Sequence, residues 1–174
     1  DRAIWGAAAA AAAINLLGPF ASIYGNELAA SGDRKRVIRR IMLASIAAAL
    51  VIGFSASLPW VVVFLLLSVH FLLVMGDSAA LTAGLIGAAP RRRRGAAMAL
   101  HSFVGFGAGF IAPLVFGIML DIGGGATSVV AWGLAFASLG IGAAIGPWAL
   151  ARQQPRRMRH HKRPAAIPTT DHER

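Results

Sequence analysis

The sequence predicts an all-α membrane protein with five transmembrane helices, and three observations carry that prediction. Apolar residues make up 57% of the 174-residue chain, with a further 20 glycines, while charged residues are only 14%. Soluble domains sit near 45–50% apolar with glycine included, so this chain has too little polar surface to cover a core in water. Long charge-free runs approach or exceed the roughly 20 residues that cross a bilayer. The basic residues fall in short blocks between those runs rather than along a solvated face.

The first span is expected at residues 3–25. Its Ala-rich stretch, with Ile14, Leu16 and Leu17, favours helix but is only weakly hydrophobic, which suits packing against protein better than facing lipid. The next run, between Arg40 and Asp77, is too long for one helix. Ser55, Ser57 and Pro59 break it, because proline lacks the amide proton a helix interior needs. This gives a second span at residues 37–54 and a third at 59–87, ended by Pro90. The fourth span covers residues 96–120 and stops at Asp121 and the glycines 123–125. The fifth covers residues 127–150. Together they form a helical domain over residues 1–151. Residues 152–174 are polar, with Pro155, Pro164 and Pro168, and are expected to be a disordered or surface-lying tail. The chain starts at Asp1-Arg2 without a signal-peptide pattern, and the start is read as a truncation.

Five spans sort the charge. The loop between the first two spans, the loop holding Arg91, Arg92, Arg93 and Arg94, and the tail then share one side, with 16 of the 17 Lys and Arg residues. Basic loops are cytoplasmic. The expected setting is therefore the cytoplasmic (inner) membrane, multi-pass, with the C-terminus in the cytoplasm. Net charge is +10, but the aromatic-interleaved basic patches of RNA-binding modules are absent, so no nucleic-acid partner is expected.

The first basic loop reads Gly25-Asn26-Glu27-Leu28-Ala29-Ala30-Ser31-Gly32-Asp33-Arg34-Lys35-Arg36. Two glycines seven apart flank a polar turn, which permits a tight hairpin, and the basic run anchors it. This stretch resembles the signature hairpin of the major facilitator superfamily, Gly-x-Leu-Ala-Asp-x-x-Gly-Arg-Lys. Gly25 and Gly32 match the two glycines, and Arg34, Lys35 and Arg36 match the basic run. Ala29 stands where the family prefers Asp, and Glu27 where it prefers Leu. The family carries a degenerate copy of the motif in its second half, so the five spans resemble helices eight to twelve. The Gly76-Asp77-Ser78 to Arg94 stretch is similar to the family's tenth-to-eleventh junction. Gly105, Gly109, Pro113 and Gly117 resemble the Gly-Pro-rich motif of its fifth helix, the repeat counterpart of helix eleven.

Gly105 and Gly109, four apart, permit close helix approach, as do Gly142 and Gly146. Pro113 removes a backbone bond and supplies a candidate hinge. The ionisable groups inside spans are His70, Asp77 and His101, each costly in lipid and therefore a candidate for the substrate or proton pathway. His70 and Asp77, seven apart, share a helix face. Asp77 and His101 are expected at similar depth, where a carboxylate and an imidazole would make a proton-linked pair. Asn15 is a neutral polar candidate for a cavity wall.

No Cys is present. The adjacent His160 and His161 lack metal-pair geometry, so no metal or cofactor is expected. No nucleotide or hydrolase motif occurs, and an enzyme is not expected. The resemblance implies the C-terminal part of a secondary transporter, a partial major-facilitator-type bundle. It would move a small solute by alternating access against an N-terminal half, within the lipid bilayer. It further implies that the first, third and fourth spans line the cavity while the second and fifth face lipid, and it admits proton coupling. Two alternatives stand. One is an integral membrane enzyme, of acyl or isoprenoid transferase type, using Asp77 and His101. The other is a non-transporting scaffold whose tail binds anionic lipid.

Overall fold

The computed structural model describes residues 2–152. No strand occurs among them, and seven α-helices follow one another in chain order. They are α1 (Arg2–Leu16), α2 (Gly18–Ala30), α3 (Arg34–Gly53), α4 (Trp60–Ala88), α5 (Arg94–Ile122), α6 (Val129–Ala143) and α7 (Ile145–Arg152). Four stretches are long and apolar enough to cross a membrane: Gly6–Ala30, Trp60–Ala88, Arg91–Ile122 and Val129–Arg152. α3 is the fifth long helix, and its first seven residues hold all five of its basic side chains.

Two spans expected as single helices are interrupted. The first breaks at Leu17, just before Gly18-Pro19, where the Leu17 amide bonds back to the Ile14 carbonyl at 3.1 Å instead of one residue further. Proline supplies no amide for the ladder, and its ring clashes with the preceding turn. The last span breaks at Ala144, ahead of Gly146-Pro147, for the same reason. Pro113, by contrast, sits inside an unbroken α5.

The hairpin between α2 and α3 is tighter than expected. α2 continues through Asn26 and Glu27 to Ala30, so only Ser31, Gly32 and Asp33 form the turn. α3 starts at Arg34, three residues early, because Asp33 caps it. The Asp33 carboxylate accepts from the Arg36 amide at 3.3 Å, satisfying one of the free first-turn donors. At the far end of α3, the Ser55 hydroxyl donates to the Ile52 carbonyl at 2.7 Å, and Pro59 opens α4. α5 ends in Gly124 and Gly125, at φ +101° and +81°, a region open to glycine and strained for other residues.

α3 is the packing centre, lying against α2, α4, α6 and α7, while α2 packs on α4 and α5 on α6. Close approach is set by glycine. A Cβ on Gly25 of α2 would overlap the backbone of Gly76 on α4, and a Cβ on Gly53 of α3 would lie 3.1 Å from Gly133 Cα on α6. The buried apolar residues are small or medium: Ala29, Ile38, Ala49, Ile52, Ala80, Ala131 and Ala135. Large apolar side chains such as Phe20, Leu65, Phe103, Phe106 and Ile141 stay 57–81% exposed. α3 itself turns Leu43, Leu50, Val51 and Phe54 outward. A soluble monomer does not expose apolar surface on this scale, whereas in lipid it is the ordinary outside of a helical bundle.

Candidate functional site

Asn15, His70, Asp77 and His101 lie within the spans, and the helices hand each a different environment. The Asn15 amide donates to the Ala11 carbonyl of its own helix at 2.8 Å, so its hydrogen bond is made locally. His70 points from α4 toward α3, with Nδ1 at 3.1 Å from the Ser45 carbonyl and 3.4 Å from its hydroxyl. His101 of α5 reaches α4, with Nε2 at 3.3 Å from Thr82 Oγ1. The Thr82 hydroxyl already donates its one proton to the Ser78 carbonyl at 2.9 Å. With its proton so placed, the hydroxyl oxygen is free to accept from His101 when Nε2 of that ring carries the proton.

The expected Asp77–His101 pair is not formed. The one ion pair among the described residues is Arg36–Asp33 at 3.7 Å, and the partner of His101 is Thr82. The reason is rotational. Asp77 and Thr82 are five residues apart on α4, about 140° around the helix. The face that meets α5 through Thr82 therefore carries Asp77 away. Asp77 instead shares the His70 side of the helix, the side that turns toward α3. It is half-buried there.

The hairpin motif divides into working and idle positions. Gly25 is helical and sets the α2–α4 crossing, while nothing lies within 4 Å of a Cβ placed on Gly32. Arg34 reaches inward: one guanidinium nitrogen donates to Asn26 Oδ1 at 3.1 Å and to the Ala80 carbonyl at 3.0 Å. It thereby ties α2, α3 and α4 together. Lys35 and Arg36 are exposed, and the Arg36–Asp33 pair, more than half in solvent, contributes little. Reading by position gave no role to Asn26, Gly76 or Ser45, and it set Thr82 on the His70 and Asp77 flank, whereas Thr82 meets His101. Asn26 and Gly76 lay within stretches already singled out by the resemblance. Nothing in the local pattern marks Ser45 or Thr82 as the partner of a histidine.

Among the described residues nothing lies within 4 Å of a Cβ placed on Gly105, Gly109 or Gly117 of α5, or on Gly142; a Cβ on Gly146 would lie 3.0 Å from the Met42 side chain. α5 touches its neighbours near its ends, through His101 at one and through Phe116, against Trp132 and Phe136, toward the other. Between these, residues 103–111 are exposed around the whole helix.

At the end of the bundle away from Arg34, an apolar cavity of about 570 Å³ opens between α1, the α3–α4 turn, α4 and α6, lined by Ala7, Ala11, Ile14, Ile52, Trp60 and Phe136 among others. Its lining holds no ionisable group. Among the described residues no three His, Asp or Glu side chains converge as a metal site. His160 and His161 lie outside the described residues.

Geometry and composition together define, over the described residues, an all-helical, multi-pass membrane protein whose spans carry isolated polar groups. No protein-family model, no curated protein and no solved structure matches the chain.

Proposed function

We propose that this chain is the C-terminal part of a secondary transporter that moves a small solute across the cytoplasmic membrane by alternating access. The observation that carries the reading is the uncovered middle of α5. Residues 103–111 are exposed on every side, and Gly105, Gly107 and Gly109 meet nothing within 4 Å. Glycine weakens a helix by about 1 kcal/mol relative to alanine and offers lipid no side chain. Its use in mid-span is explained by a further helix packing closely there. The proposed partner is the N-terminal half of the same transporter, with the solute site between the halves near the bilayer midplane.

The resemblance of the hairpin at Gly25, Gly32, Arg34, Lys35 and Arg36 to the major facilitator superfamily supports the same reading. Asp77 is the proposed proton carrier, because it is the one carboxylate within the apolar part of a span. The transferase alternative needs Asp77 and His101 to act together, and the turn of α4 between Asp77 and Thr82, the partner of His101, weighs against it. The test is reconstitution in vesicles. The chain alone should give no solute flux, and co-assembly with the companion half should give saturable uptake. Saturable uptake by the chain alone would refute the half-transporter reading.

A further inference from the structure

The two basic clusters, far apart in sequence, lie at the same end of the bundle. Arg34 at the start of α3 donates to the Ala80 carbonyl, and its Cδ lies 3.2 Å from where a Gly84 Cβ would stand. Gly84 is one turn, about 6 Å, from the last residue of α4. Beyond that end, after Ala89 and Pro90, a single 3₁₀ turn holds Arg91, Arg92 and Arg93 before α5 begins. All three are exposed, as are Lys35 and Arg39 at the head of α3. Among the described residues none of these five makes an ion pair, since the one such pair is Arg36–Asp33.

The turn is too short to carry its arginines away from the bilayer. It joins two apolar helices of 29 residues each, about 44 Å long and so well beyond the roughly 30 Å hydrocarbon core. On the membrane reading the guanidinium groups therefore fall in the headgroup layer, at the same end of the bundle as the positive end of the α3 dipole. The geometry points to a binding site for the phosphate of an anionic phospholipid at the Arg91-Arg92-Arg93 turn, with Lys35 and Arg39 of α3 adding positive charge at the same end of the bundle. Guanidinium forks bind phosphate oxygens in pairs. A lipid is the favoured source because the groups lie where its phosphate lies. The inference depends on the membrane reading, not on transport.

The test uses the full chain in phosphatidylcholine vesicles carrying spin-labelled phosphatidylglycerol or spin-labelled phosphatidylcholine. The wild-type chain should immobilise the phosphatidylglycerol probe preferentially. Each arginine of the turn replaced by Gln should lower that preference about fivefold, the scale of one basic group at an anionic surface. The preference of the wild-type chain should also collapse in 1 M NaCl, where screening shortens to about 3 Å. Should the triple variant lose its helical circular dichroism, the salt titration decides. Equal immobilisation of both probes, a preference untouched by salt, or displacement of the lipid probe by millimolar glycerol phosphate or by an oligonucleotide would each overturn the site.

Discussion

Gly25 and Gly76 face each other where α2 crosses α4, yet the two are not equivalent. A methyl on Gly25 would overlap the Gly76 backbone, whereas a methyl on Gly76 would lie 3.5 Å from the Ala21 carbonyl oxygen, an ordinary contact. Gly25→Ala should therefore destabilise the chain by about 1–3 kcal/mol, the usual cost of overpacking, and Gly76→Ala should not destabilise it, with up to about 1 kcal/mol gained from alanine's helix propensity. Unfolding in detergent, followed by circular dichroism, separates the two. Asp77 makes the second prediction at this scale. In a transport-competent assembly, Asp77→Asn should abolish uphill uptake while leaving expression and downhill exchange intact, because Asn keeps the shape but does not titrate. Wild-type uphill uptake by that variant would show that the proton carrier lies elsewhere. Spacing showed that Asp77 shares a face with His70, because phase within one helix is a property of the sequence. Which neighbour covers that face is a property of packing, so the expected partner of His101 was wrong and Thr82 took its place.

At the scale of elements, the long apolar runs were legible to within a few residues, since lipid solvation demands about 20 apolar residues per crossing. The breaks at Leu17 and Ala144 were not, because Pro19 and Pro147 lie inside apolar runs that hydropathy alone reads as continuous. The head of α3 started early for a local reason, the Asp33 cap. Glycine spacing predicted close packing for Gly105 and Gly109, and within this chain the close crossings are made by Gly25 with Gly76 and by Gly53 with Gly133. That difference is itself a prediction. Gly105→Leu should not destabilise the isolated chain, because its side chain meets nothing there and leucine is the better helix former by up to about 1 kcal/mol, and it should prevent co-assembly with a companion half. Co-purification with the partner reads the second effect, and undiminished assembly would show that α5 faces lipid.

For the whole molecule, charge distribution and packing agree on a polarity. The Arg34 and Arg91 clusters share one end through the Arg34–Ala80 bond. The end of α7 joins them, because Leu150 packs on the core of Ala29, Ile38 and Ala80. Arg152, two residues on, lies over the Trp148 ring at 3.9 Å. The apolar cavity with Trp60 marks the other end. The reading of five antiparallel crossings, with α3 as one of them, accounts for this arrangement, while four or six would scatter the charges. The claim on which the rest stands is that the basic end lies in the cytoplasm. It is tested most directly by reporter fusions after Arg94, after Arg163, and in the turns at Ser57 and Gly124. The account predicts cytoplasmic signals from the first two and periplasmic signals from the last two. A periplasmic signal after Arg94 or Arg163, or a cytoplasmic one at Ser57 or Gly124, would contradict it.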